Sequence, residues 1–233
     1  MDDSTFHDRF RTDLLALQEI AVSEGSKPDA PVPSCPGWTV ADLFGHMWSN
    51  HRWVRAVLRT RDRAEVPEPG THPIADFVDS VPDHLIAIRS IHPDEPCWNF
   101  GPPPRTAGFW IRRQAHEHAI HHWDVANALN LYDVKFDADF AADGVSEVVD
   151  MFYPRQIRLG RSGAVAAAVR LIATDVPGEW TLGDGEPAVT VRAPAATLYL
   201  GIWKRIALLD APEAQFDGDR AALKDALALA ITP

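Results

Sequence analysis

The feature that most constrains this chain is the run Arg113-Gln-Ala-His-Glu-His-Ala-Ile-His-His-Trp-Asp124, which holds no glycine and no proline. It lies in a segment that reads as helix from about residue 106 to residue 129. Residues four apart share a helix face. Glu117 and His121 are so placed, Asp124 follows three residues on, and Arg113 precedes Glu117 by four. At about 100° per residue all four fall in one stripe roughly 80° wide, and Ile120 and Ala128 share it. A stripe with apolar members should face inward. Burying that much charge is costly unless it is paired or coordinates a metal. The spacing therefore predicts that Glu117 and His121 hold a divalent metal ion and that the rest of the chain builds a site around it.

The 233 residues suit one large or two small domains. Net charge is −11, from 33 acids against 22 bases. That balance argues against nucleic acid or an anionic membrane as partner, since phosphate binding needs a basic surface. Cys35 and Cys97 form no CxxC pair, which points to a reducing compartment. The acidic N-terminus does not look like a signal peptide, and no run approaches the roughly 20 apolar residues of a membrane span. The expectation is a soluble, cytoplasmic protein.

Along the chain, residues 5–23 place Phe6, Phe10, Leu14, Leu17 and Ala21 at helical spacing. A proline-rich connector, residues 27–38, cannot be helical. Thr39 with Asp42 three residues on makes a capping-box start for a second helix, running to about residue 61. A third helix is expected over residues 74–91, with Pro82 as a possible break, and the metal-motif helix follows a stiff proline-rich loop. Four amphipathic helices joined in this way predict an antiparallel four-helix bundle. Beyond residue 135 the texture changes. One helix over residues 140–151 is followed by extended runs at 165–173, 179–182 and 189–192. The turn-rich joint at 183–187 suggests that the last two form a hairpin. Helices at 194–205 and 219–231 complete the reading. The fold class is α+β, with a four-helix domain over residues 1–135 and a small mixed domain over 136–233.

A catalytic metal site takes three protein ligands and leaves one position open. His46 is the best third ligand, because it lies on the inward stripe of the second helix with Leu43, Asn50, Trp53 and Val57. Asp124 is placed to accept the free ring N–H of a ligand histidine. Spacing alone leaves other readings open. Glu117 and His121 could be a surface pair, and His118 and His122, also four apart, form a competing pair on another facet. His116, His118 and His122 are otherwise expected to be solvated or to support the ligands. The His-Glu-x-x-His pattern of zinc proteases is missing, and so are a nucleotide loop, a GxSxG motif and a dinucleotide fingerprint.

At these residues the chain resembles a known family. Ser34-Cys-Pro-Gly-Trp-Thr-Val-Ala-Asp-Leu-Phe-Gly-His46 is similar to the opening motif of the mycothiol-dependent maleylpyruvate isomerase family, within the DinB-like metal-binding bundles. Arg113-x-x-x-His-Glu117-x-x-x-His121-x-Trp-Asp124 resembles that family's second motif. The C-terminal part is similar to its smaller α+β domain, with a leucine-rich helix over Leu198 to Arg205 that closes in arginine. The resemblance implies His46, Glu117 and His121 as ligands of zinc or another divalent metal, with mycothiol or a similar small thiol as cofactor. It also implies an arginine, matched to Arg205, acting on the anionic end of a small-molecule substrate.

The expected activity is thiol-dependent cis–trans isomerisation, or thiol transfer, on a small electrophile. A non-catalytic metal-binding or sensor protein is the alternative from another class, and a metal hydrolase on the same bundle is a third, because fold does not fix function.

Overall fold

The computed structural model describes residues 2–233, which divide into two compact units, residues 2–134 and Lys135–Pro233. The first unit is built on four helices: α1 (Asp3–Val22), α2 (Val40–Thr60), α3 (Pro73–Arg89) and α4 (Gly108–Leu129). α1 packs on α4 and α3, and α2 packs mainly on α3. Phe6, Phe10, Leu14 and Leu17 of α1 are all buried, as the spacing requires.

The start of α2 is fixed locally. The Thr39 hydroxyl accepts from the Asp42 backbone N–H, while the Asp42 carboxylate accepts from the Thr39 backbone N–H at 2.8 Å. This sets the phase of the helix and hence the direction in which His46 points. Pro82 does not break α3, which runs through it unbroken. α4 ends where Asn130 turns left-handed, with φ 53°. No helix among the described residues is long and apolar enough to cross a membrane.

The second unit opens with α5 (Ala138–Ser146), a π-helical stretch (Glu147–Phe152) and α6 (Tyr153–Arg158). The single helix expected over 140–151 is thus a longer segment that changes winding halfway. α5 packs on α7 (Ala195–Ile202) so closely that a Cβ on Gly144 would lie 2.2 Å from Tyr199 Cε2.

The sheet is mixed, with strands β1 (Ala168–Ala173), β2 (Glu179–Leu182), β3 (Pro187–Ala193) and β4 (Gln215–Gly218) in the order β2-β1-β3-β4. β1 pairs antiparallel with β2 and parallel with β3, so Leu171 faces Trp180 on one side and Val191 on the other. The expected β2–β3 hairpin is therefore wrong. β1 lies between the two, and the glycine turn at Gly183 and Gly185, both at positive φ, carries the chain across it. β1 is the most apolar run, and a central place buries it on both edges. The polar β4, which no sequence pattern announced, covers the far edge as a short exposed strand. α7 stops at Ile202 rather than at Arg205, because Lys204 takes a left-handed conformation and the Arg205 N–H returns to the Leu200 carbonyl. α8 (Arg220–Ala228), capped by Asp219, packs on β1 and β3. The chain is α+β.

Candidate metal centre

α4 is buried almost all round, so its polar residues must find partners inside the protein. Glu117 is the centre of one group. His46 Nε2 of α2 lies 3.1 Å from Glu117 Oε1, and His121 Nε2 lies 3.5 Å from the same oxygen. One ligand atom from each of His46, Glu117 and His121 falls within 4.8 Å of the others. The imidazoles of His46 and His121 meet edge to face, with centroids 5.1 Å apart. The other Glu117 oxygen, Oε2, is paired with the buried Arg113 guanidinium one turn earlier, and Asn50 donates to Oε1 at 3.4 Å.

The charge states follow from these contacts. Burial opposes ionisation of Glu117, but Arg113, with hydrogen bonds from His121 and His46, holds its carboxyl well below the usual range. Burial also opposes a charge on His121, yet hydrogen bonds to Asp124 and Glu117 outweigh it and raise its pKa. Asp124 Oδ2 accepts the His121 Nδ1 proton at 3.0 Å. That contact turns Nε2 toward Glu117; a protonated ring donates to both carboxylates, and the neutral ring keeps its proton on Nδ1 and presents Nε2 as the lone pair a metal ligand needs. Asp124, fully buried, is itself held by the Ser34 hydroxyl at 2.6 Å, with the Cys35 thiol 3.8 Å away.

Two imidazoles and one carboxylate of this geometry form a donor set that fits a divalent transition metal, with room for an exogenous ligand. The opening is on the His46 side. That ring is partly exposed and lines a cleft of about 600 Å³ with Trp38, Gly45, Ser49, Pro69 and Pro73. Trp38 sits over His46 at 5.2 Å between ring centroids. Gly45 makes this wall possible, since a Cβ there would meet both Pro69 and Pro73 at 3.2 Å. The cleft's charged lining residues are Asp42 and Glu68, both acidic.

The residues singled out in the sequence thus divide between the units. His46, Arg113, Glu117, His121 and Asp124 come together. Arg205 belongs to the other unit, where its guanidinium donates to the Trp203 carbonyl at 2.9 Å and lies 5.7 Å from the Trp203 ring. His116, His118 and His122 are not solvated; all three are buried. His122 is fixed between Asp13, at 2.8 Å, and the Tyr132 hydroxyl, at 2.9 Å. His118 joins a separate group with His51 and His84. Sequence reasoning gave no role to Ser34, Cys35 and Asn50. The first two stand in the Ser34–His46 motif and Asn50 is one turn past His46, so proximity to the motif was the available signal.

Two family models match the chain. Residues 11–126 correspond to the mycothiol maleylpyruvate isomerase N-terminal domain, which spans His46, Glu117, His121 and Asp124, and residues 139–225 to the MDMPI C-terminal domain. Among solved structures, the crystal structure of the mycothiol-dependent maleylpyruvate isomerase is similar at 13% identity and TM-score 0.61, over 86% of this chain and 88% of that one. A histidine-to-alanine mutant of that enzyme is similar at 11% identity with the same TM-score and coverage. At such identities the likeness is one of fold. No curated protein matches the chain.

Proposed function

Because the chain belongs to the mycothiol-dependent maleylpyruvate isomerase family of enzymes, we propose that it is a metal-dependent isomerase or transferase that uses a small thiol such as mycothiol on an electron-poor, carboxylate-bearing alkene. The observation that carries this reading is the convergence of His46, Glu117 and His121 beside an open cleft. A divalent ion there, zinc by donor preference, would supply a Lewis acid that keeps the thiol as thiolate, the nucleophilic form.

The chain's residues supply the rest. Asp124 orients His121, Arg113 keeps Glu117 ionised, and Trp38 walls the cleft beside His46. Addition of the thiolate to the cis double bond forms one C–S bond and moves the electron pair to the substrate's carbonyl as an enolate. The former double bond is then single and can rotate. Return of the electron pair expels the thiolate and leaves the trans alkene, so the thiol is regenerated. Protonation of the enolate before expulsion gives thiol transfer instead.

Neither cysteine need take part, so the thiol would come from outside. Cys97 is buried, and burial pushes its thiol up, away from the reactive form. Since the cleft's own charges are acidic, the substrate's carboxylate needs a cation, and Arg205 is the proposed one. The test is to supply zinc-loaded protein with mycothiol and maleylpyruvate and to follow isomerisation and adduct formation. The expected result is turnover that His46→Ala abolishes together with metal and Arg205→Ala weakens chiefly through KM. Neither product nor adduct from zinc-loaded protein would overturn the reading.

A further inference from the structure

Asp42 and Glu68 line the cleft beside His46 from two different segments, α2 and the extended stretch that leads to α3. Among the described residues no lysine or arginine lines it. Both carboxylates are held in place. Asp42 Oδ2 accepts from the Thr39 backbone N–H and from the Thr39 hydroxyl, each at 2.8 Å, which leaves Oδ1 open to a ligand. Glu68 stands between Pro67 and Pro69, whose rings stiffen the backbone on either side, and Pro69 rests against the bare face of Gly45. Trp38, 37% exposed, adds an indole to the same lining. So does Ser49, one turn past Gly45 on α2. It is 4% exposed, and its Oγ has no hydrogen-bond partner. A buried hydroxyl without a partner is costly, and a place in the wall of a cleft leaves that partner to be supplied by a ligand.

These groups favour one kind of occupant. An ionised carboxylate only accepts, so it draws O–H and N–H donors and repels anions. A serine hydroxyl can give and take a hydrogen bond. An exposed indole offers a flat apolar surface. A neutral molecule rich in hydroxyls satisfies all three, with its O–H groups on the acids and on Ser49 and its C–H face on Trp38. A carboxylate or a phosphate does not. Of the two reactants in the proposed reaction, the carboxylate-bearing alkene is the one this lining rejects, and the thiol is the one left to fill it.

We propose that this cleft is the subsite for the body of the thiol, that it takes an uncharged, hydroxyl-rich thiol, and that Asp42 and Glu68 exclude thiols bearing carboxylates or phosphates. The inference rests on the metal-and-thiol reading above. Selection then comes from repulsion of the wrong thiol as well as attraction of the right one. At an open cleft each like-charge pair is worth only a few-fold in affinity, and the pairs together roughly tenfold.

The test loads the full chain with Co²⁺ and follows the thiolate-to-cobalt charge-transfer band as thiols are titrated in. Glutathione and its diethyl ester are one pair, the same tripeptide with its carboxylates free or masked. The ester should bind roughly tenfold more tightly to wild type at low salt, and the gap should narrow as salt is raised. Glu68→Lys, a change at an exposed loop position, should close or reverse it. A second pair is 1-thioglucose and 2-mercaptoethanol, both neutral. Thioglucose should bind more tightly, and Trp38→Ala should remove its advantage. An ester-to-acid ratio that Glu68→Lys leaves unchanged, or thioglucose no tighter than mercaptoethanol, would overturn the subsite while the thiolate band itself still upheld the metal-and-thiol reading. No band with any thiol would sink that reading, and the subsite with it, so the two failures are distinguishable.

Discussion

Asp124→Asn isolates the part of the cleft centre that the structure makes most specific. Asp124 touches no candidate open position; it accepts from His121 Nδ1 at 3.0 Å and from Ser34 Oγ at 2.6 Å. The amide has the same shape. Its carbonyl can still accept from His121, and its NH₂ can donate to Ser34, whose hydroxyl is free to rotate. Packing and hydrogen-bond count are therefore kept, while the negative charge that makes His121 a stronger donor is lost. Removing such an outer partner typically weakens metal binding about 10–100-fold, or about 1.4–2.7 kcal/mol. Asp124→Ala should do more and should also destabilise the metal-free fold, because it strands the buried His121 Nδ1–H, at about 1–3 kcal/mol, together with the half-buried Ser34 hydroxyl. The assay is competition for Zn²⁺ against a chromophoric chelator at fixed pH, with melting curves of the metal-free proteins as control. Metal affinity of Asp124→Asn within twofold of wild type would refute the argument. So would a loss matched by an equal drop in metal-free melting temperature, since the effect would then be on folding.

Arg113→Met should cost the metal-free protein up to about 3 kcal/mol by leaving the largely covered Glu117 carboxylate without the buried Arg113 guanidinium. Added Zn²⁺ should recover more melting temperature in this variant than in wild type, and equal recovery would count against it. Thr39→Ala should lose about 1 kcal/mol in urea unfolding through the missing cap. Asp42 is held below its usual pKa chiefly by the Thr39 backbone N–H, so its folded pKa lies under its unfolded one. Its stabilisation is complete above the unfolded value and is lost as pH falls through the folded one; Asp42→Asn should flatten that acid limb in a pH series of melting curves. Gly144→Ala places a methyl carbon 2.2 Å from Tyr199 Cε2 and should cost about 1–3 kcal/mol in the C-terminal unit. Its zinc content, measured by elemental analysis, should be unchanged.

Much of this protein could be read from local spacing. The capping box at Thr39 and Asp42, the helix it starts, and the stripe of Arg113, Glu117, His121 and Asp124 depend on residues three and four apart, and a helix brings such residues together whatever surrounds it. The change from helical to extended texture near residue 135 follows from the same short-range periodicities. Other features depend on distant partners. Whether β2 pairs with β3 or with β1 was decided by which apolar strand took the centre of the sheet, and the turn at Gly183–Gly185 is compatible with either arrangement. The winding change at Glu147–Phe152 had no signal in the apolar pattern.

By itself the sequence determined which side chains of α4 share a face, because a helix converts spacing into direction. The tertiary structure alone decided what each face meets. His118 was one of several histidines on α4 until the packing of α2 and α3 brought His51 and His84 against it, 67 and 34 residues away along the chain. Side chains so far apart meet only when the helices that carry them are packed, and no local pattern records that packing.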